Sequence, residues 1–143
     1  MLINVTDNDK LLAVVLRKNF SKAGINFLTE SRSSLQVGVL NHPQSTKITP
    51  HTHQNHGRTI EDTQEVLLLR RGRLRVDFFT DAQVYLESVI MEEGDVLLLI
   101  SGGHGFEALE DIDMVEVKTG PYLETQDKTR FDTDPAIRLK IRD

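Results

Sequence analysis

A chain of 143 residues, 38% hydrophobic and 27% charged, is long enough to bury one sizeable core and too short for two independent ones, so a single domain over residues 1–143 is expected. The net charge of -5, from 22 acids against 17 bases, comes without the interleaving of bases and aromatics that stacks on nucleotides, so nucleic acid is not an expected partner. With no cysteine, disulfides, thiolate metal sites and cysteine nucleophiles are excluded, and any metal must be held by nitrogen and oxygen.

Along the chain, the opening residues Met1 to Lys10 put no basic stretch before an apolar one. No apolar run nears the ~20 residues that span a bilayer. A cytoplasmic protein with no membrane partner is the expectation. Short β-rich segments follow one another, separated by glycine, proline, asparagine and aspartate, at the spacing of a sandwich or barrel. The pattern predicts strands at 11–17, 26–28, 35–40, 47–51, 65–70, 73–79, 84–90, 95–100, 105–109 and 114–118. In the first of these Leu11, Leu12, Val15, Leu16 and Phe20 would also make a helical stripe, but the β-branched pair Val14-Val15 favours strand.

The sharpest local signal is the run 65–79, two strand-like halves around Gly72. In the second half Leu74, Val76 and Phe78 share one face by period two, and Arg73, Arg75 and Asp77 share the other, which predicts a hairpin with one buried face. The arginines at 70, 71, 73 and 75 then belong to a solvated hairpin rather than to a phosphate patch. The apolar run from Val96 to Ile100 is short and flanked by Gly94 and Gly102-Gly103, so it reads as a buried strand. Beyond Gly120-Pro121 the chain turns polar. The core barrel is expected over about 35–118, with strands in 1–34 and a tail at 119–143 packing on the barrel or on a dimer partner.

His51, His53 and His56 crowd together. Residues i and i+2 of a strand project from one face, so His51 and His53 would point together into a barrel, as a chelating pair for a divalent first-row ion. Two more ligands of the right type stand at other strand ends: Glu65 heads the strand at 65–70, and His104 follows the Gly102-Gly103 turn, whose glycines permit close backbone approach. His42 and His56 read as surface residues, although the long 54–64 segment could fold His56 over the pocket in place of one of the pair. Arg58, Gln64, Tyr85 and Lys118 are candidates for substrate contacts, Arg58 because a guanidinium can clamp a carboxylate or phosphate bidentately.

These residues carry a resemblance to the cupins, a family folded as a double-stranded β-helix or jelly roll. The first cupin motif is matched by His51, His53, Glu65 and, after six residues, Gly72; the second by Gly94, the strand through Ile100, the Ser101-Gly102-Gly103 turn and His104. The stretch between His53 and Glu65 is longer than the family's, the turn proline is absent, His104 arrives one residue early, and Ala108 stands where an asparagine often does. A one-residue shift flips a strand side chain to the other face, so His104 can face inward only if the glycine turn absorbs the shift. The resemblance implies an all-β, jelly-roll barrel binding iron, manganese, nickel or zinc through His51, His53, Glu65 and His104. It also implies isomerase or oxygenase chemistry on a small polar molecule such as a sugar derivative or hydroxy acid. Two other functions fit: a metal-free sugar-nucleotide ketoisomerase using His51 and His53 as acid and base, and a non-catalytic ligand-binding module. A homodimer is expected, because small jelly rolls leave sheet edges and apolar outer faces to cover.

Overall fold

A computed structural model describes residues 1–121 and 128–142. Among the described residues it is all-β, with strands β1 (Leu2–Asp7), β2 (Lys10–Leu16), β3 (Gly24–Phe27), β4 (Gly38–Asn41), β5 (Glu65–Arg71), β6 (Arg73–Phe79), β7 (Tyr85–Glu92), β8 (Val96–Leu99), β9 (Gly103–Ala108), β10 (Asp113–Lys118) and β11 (Ile141–Arg142). No helix among them is long and apolar enough to cross a membrane.

One sheet has the order β1-β2-β8-β5-β10, a second β11-β7-β6-β9, and β3 and β4 pair as a separate hairpin. All pairings are antiparallel except β11 with β7. A single hydrophobic cluster draws on both large sheets, with Val5, Leu12, Val15, Leu67, Leu69 and Leu97 from the first and Leu74, Val76, Phe78, Val89 and Met91 from the second. The molecule is therefore a two-sheet sandwich with its core between the sheets. The expected in-out alternation of the hairpin holds, since Leu74, Val76 and Phe78 are buried while Arg73, Arg75 and Asp77 are not. Gly72 makes its turn at φ +84°, where an added Cβ would land against the Asp111 carbonyl oxygen.

The ambiguous run at 11–17 is strand because β1 and β8 flank β2 on both sides. A strand buried on both faces needs no polar alternation, so its near-continuous apolar sequence fits this central place. The same reason explains β8, held between β2 and β5. β1 was not expected from the sequence, although Ile3 and Val5 alternate inward against Asn4 and Thr6. The strand expected at 47–51 is absent: residues 46–62 carry no strand and are exposed. Pro43 and Pro50 each lack a ladder donor, and Ile48 is the one large apolar side chain between them, too little to hold the segment on the sandwich.

The turn into β8 is tied by Asp95, whose side chain is almost wholly buried. Its carboxylate accepts from Arg17 Nη1 at 2.8 Å and from the backbone N–H groups of Lys18 at 2.9 Å and Glu92 at 3.0 Å. Arg17 Nη1 also donates to the Ile90 carbonyl at 2.6 Å. Of the expected tail, residues 122–127 and 143 lie outside the described residues. The rest packs on the sandwich: the Phe131 ring lies 5.2 Å from that of Phe79 and against Gly103, and β11 adds to β7.

Candidate functional site

β9 and β10 end their respective sheets among the described residues. A cavity of about 640 Å³ lies at the edge of β9 and takes lining from β5, β6, β8, β9 and residues 128–133, a size ordinary for a small-molecule site. Both faces of β9 contribute, so the cavity runs round the free edge of that strand, and residues 128–133 form a strap along it.

Within this cavity Glu65 and His104 converge from opposite sheets, with Oε2 and Nε2 3.5 Å apart. Glu65 opens β5 on the inward face shared with Leu67 and Leu69. His104 stands opposite Phe78 on β9, the position whose neighbours along β6 point into the core. The preceding turn explains how an early histidine still faces inward. Gly102 sits at φ +75°, where an added Cβ would press on the Phe79 carbonyl oxygen; this left-handed residue re-aims the chain before β9 begins. His104 follows that turn directly and lines the cavity.

The surroundings shift the titration of both side chains. Burial pushes the Glu65 carboxyl above the ordinary carboxylate range, and Glu116, by its charge and a side-chain hydrogen bond, pushes it the same way, against the cations Lys128 and Lys118. Burial also lowers the His104 imidazole, with the Lys128 charge adding to the effect and Glu116 opposing it. His104 therefore favours the neutral ring, the form with a free lone pair.

His51 and His53 are placed differently. Their rings lie 5.3 Å apart, edge to face, but without the strand that was to aim them. They sit on the exposed 46–62 segment, not among the cavity residues, and His51 Nδ1 is 2.9 Å from the Thr49 carbonyl. His42, His56 and Arg58 are exposed as well. Gln64 is buried and structural: its Oε1 accepts from the Leu35 N–H at 3.1 Å, and its carbonyl from Thr119 N–H at 3.0 Å. Tyr85 shares a hydrogen bond of 2.7 Å with Ser88 and accepts from the Lys140 N–H at 3.0 Å, beside a smaller cavity of about 230 Å³. Lys118 stands across from Glu65 in the β5–β10 ladder.

The donors His51, His53, Glu65 and His104 suit a divalent first-row ion in their chemistry, being nitrogen and oxygen throughout. The structure brings together Glu65 and His104, and separately His51 and His53. Among the described residues no group of three or more His, Asp or Glu stands close enough to hold an ion.

Several residues of the site were not foreseen from the sequence. Glu116, exposed on β10, shares a face with Met114 by period two and reaches Glu65, and that pattern was readable. Lys128, Arg130 and Phe131 carry no local signal, since only the return of the chain across the β9 edge brings them to the cavity. No family model, no curated protein and no solved structure matches the chain.

Proposed function

We propose that the chain is a cupin-like protein in which Glu65 and His104, with His51 and His53, hold a divalent metal ion at the β9 cavity, where a small polar molecule such as a sugar derivative or hydroxy acid binds. The observation that carries this reading is the convergence of Glu65 and His104 from opposite sheets to 3.5 Å at a cavity. Strand order supports it. From β5 to β10 the chain crosses between sheets at every step except the β6–β7 hairpin, with β10-β5-β8 in one and β9-β6-β7 in the other, the path a double-stranded β-helix takes through its last six strands. The neutral His104 ring favoured by burial is the form that ligates. The histidine pair is tethered to Glu65 by the 54–64 segment, and a chain of that length spans up to ~40 Å when extended, ample to reach the cavity.

A bound divalent ion supplies Lewis acidity, polarising a carbonyl or hydroxyl oxygen or activating water. The chain's own contribution is to keep His104 neutral, to hold Glu65 against it, and to shield both beneath residues 128–133. Isomerase or oxygenase chemistry is the activity class this reading carries.

The test is metal analysis of untagged protein. His51→Ala, His53→Ala, Glu65→Ala and His104→Ala should each reduce bound metal about tenfold or more while the circular dichroism spectrum stays that of the wild type. His42→Ala and His56→Ala should change little. A wild-type protein without stoichiometric metal that loses activity only on replacement of His51 or His53 would replace this reading with acid–base catalysis by that pair. If all six variants keep their metal, the ligand set is wrong.

A further inference from the structure

The β9 cavity holds more charge than the Glu65–His104 pair employs. Lys128 and Arg130 both line it from the C-terminal strap. Among the described residues neither forms a salt bridge. The acids around them are largely engaged elsewhere. Asp77 takes both ends of the Arg75 guanidinium at 2.9 and 3.0 Å and a hydrogen bond from Ser88 at 2.5 Å. Glu65 faces His104, Oε2 and Nε2 3.5 Å apart. Asp132 is the remaining carboxylate of the lining. Lys128 lies close enough to both His104 and Glu65 for its charge to act on each, so it stands over the chemical end of the cavity rather than out in solvent.

The other walls are aromatic. Phe79 and Phe131 meet edge to face with ring centres 5.2 Å apart, and Phe106 lies 5.3 Å from the His104 ring. A partly enclosed cavity with two cations, one uncommitted carboxylate and three phenyl rings is matched by a ligand that is anionic at one end and flat at the other. Arginine binds carboxylate and phosphate oxygens in pairs and lysine adds a point charge, both strengthened where water is partly excluded.

We propose that this cavity selects small molecules bearing a carboxylate or phosphate, the anionic group lying between Lys128 and Arg130 and a flat apolar or C–H-rich face lying against Phe79, Phe106 and Phe131. The assignment rests on the cavity being the ligand site, as in the proposed function, and is independent of the metal.

The experiment is a ligand-observed NMR titration of the full chain with benzoate, phenyl phosphate, benzyl alcohol and benzylamine, run on protein dialysed against a chelator and on protein reloaded with metal. Benzoate or phenyl phosphate should bind in both preparations, benzyl alcohol and benzylamine should not, and the tighter anion identifies the acid group. Lys128→Gln and Arg130→Gln should each weaken the binding about tenfold, as loss of one charge-assisted contact does. Equal affinity for benzyl alcohol, or unchanged affinity in both cation variants, overturns the proposal. Binding that disappears with the chelator and returns with metal also overturns it, since the ion would then be the anion's receptor. Anion binding in a protein that takes up no metal sustains it and sinks the metal centre alone.

Discussion

Replacing Asp95 by alanine tests how the sandwich holds the strands that carry the site. Asp95 is almost wholly buried and its carboxylate ties the end of β2, through Arg17 and the Lys18 N–H, to the β7–β8 turn at Glu92. Alanine would leave a guanidinium and two backbone N–H groups without their acceptor. Breaking a buried ion pair by removing one partner costs about 3–5 kcal/mol. The Arg17 side chain retains 16% exposure and its bond to the Ile90 carbonyl, so we place the loss at the lower end, about 3 kcal/mol. In urea denaturation, with a slope of roughly 2 kcal/mol per molar for a domain of this size, the midpoint should fall by about 1.5 M with the slope unchanged. The double variant Arg17→Met, Asp95→Ala should be less destabilised than Asp95→Ala alone, because it no longer strands a charge, yet remain below the wild type because both N–H groups stay unpaired. A loss under about 1 kcal/mol in the single variant would refute the claim that this carboxylate organises the turn.

Gly72→Ala should cost at least about 2 kcal/mol in the same assay, since it forces a non-glycine residue into the left-handed region and drives its Cβ against the Asp111 carbonyl. The Asp81 carboxyl, held below its ordinary value chiefly by the hydrogen bond from Lys10, contributes stability that is present above pH 3.8 and lost as pH falls through its lower folded value. Both side chains are more than half exposed, so the gap between wild type and Asp81→Asn should stay under about 1 kcal/mol at neutral pH and close in acid denaturation below that value. Sedimentation at micromolar concentration should give a homodimer, because Ile25, Phe27 and Leu40 on the β3–β4 hairpin and Val117 on β10 are each more than half exposed in the single chain; a monomer throughout that range would count against it.

The legible part of the fold was the part governed by local pattern. The hairpin around Gly72 announced itself because its period-two alternation and its positive-φ turn are consequences of adjacent residues, and β8 because glycines bound a short apolar run. What was not legible depends on distant chain. The segment holding His51 and His53 reads locally as strand, but a strand forms only where a partner offers a ladder, and no described strand offers one to residues 46–62. Lys128 and Arg130 look like any polar tail until the tail crosses β9. For the candidate site, Glu65 could be placed at the head of a strand and His104 after a glycine turn, and the structure brings the two side chains to 3.5 Å. The convergence of the histidine pair with them remains a proposal.

The guanidinium of Arg142 donates to the carbonyl of Asn4 at 2.6 Å, which sets the beginning of β1 beside β11. Neighbouring ends make the covalent order of the chain separable from its architecture: a short glycine-serine linker could join them, and new ends opened within 46–62 would cut no ladder. Such a circular permutant would convert one of the longest-range contacts in the molecule into a local one and release the histidine segment at one side. The loop-closure entropy of joining the first strand to the last would then be met in synthesis rather than during folding.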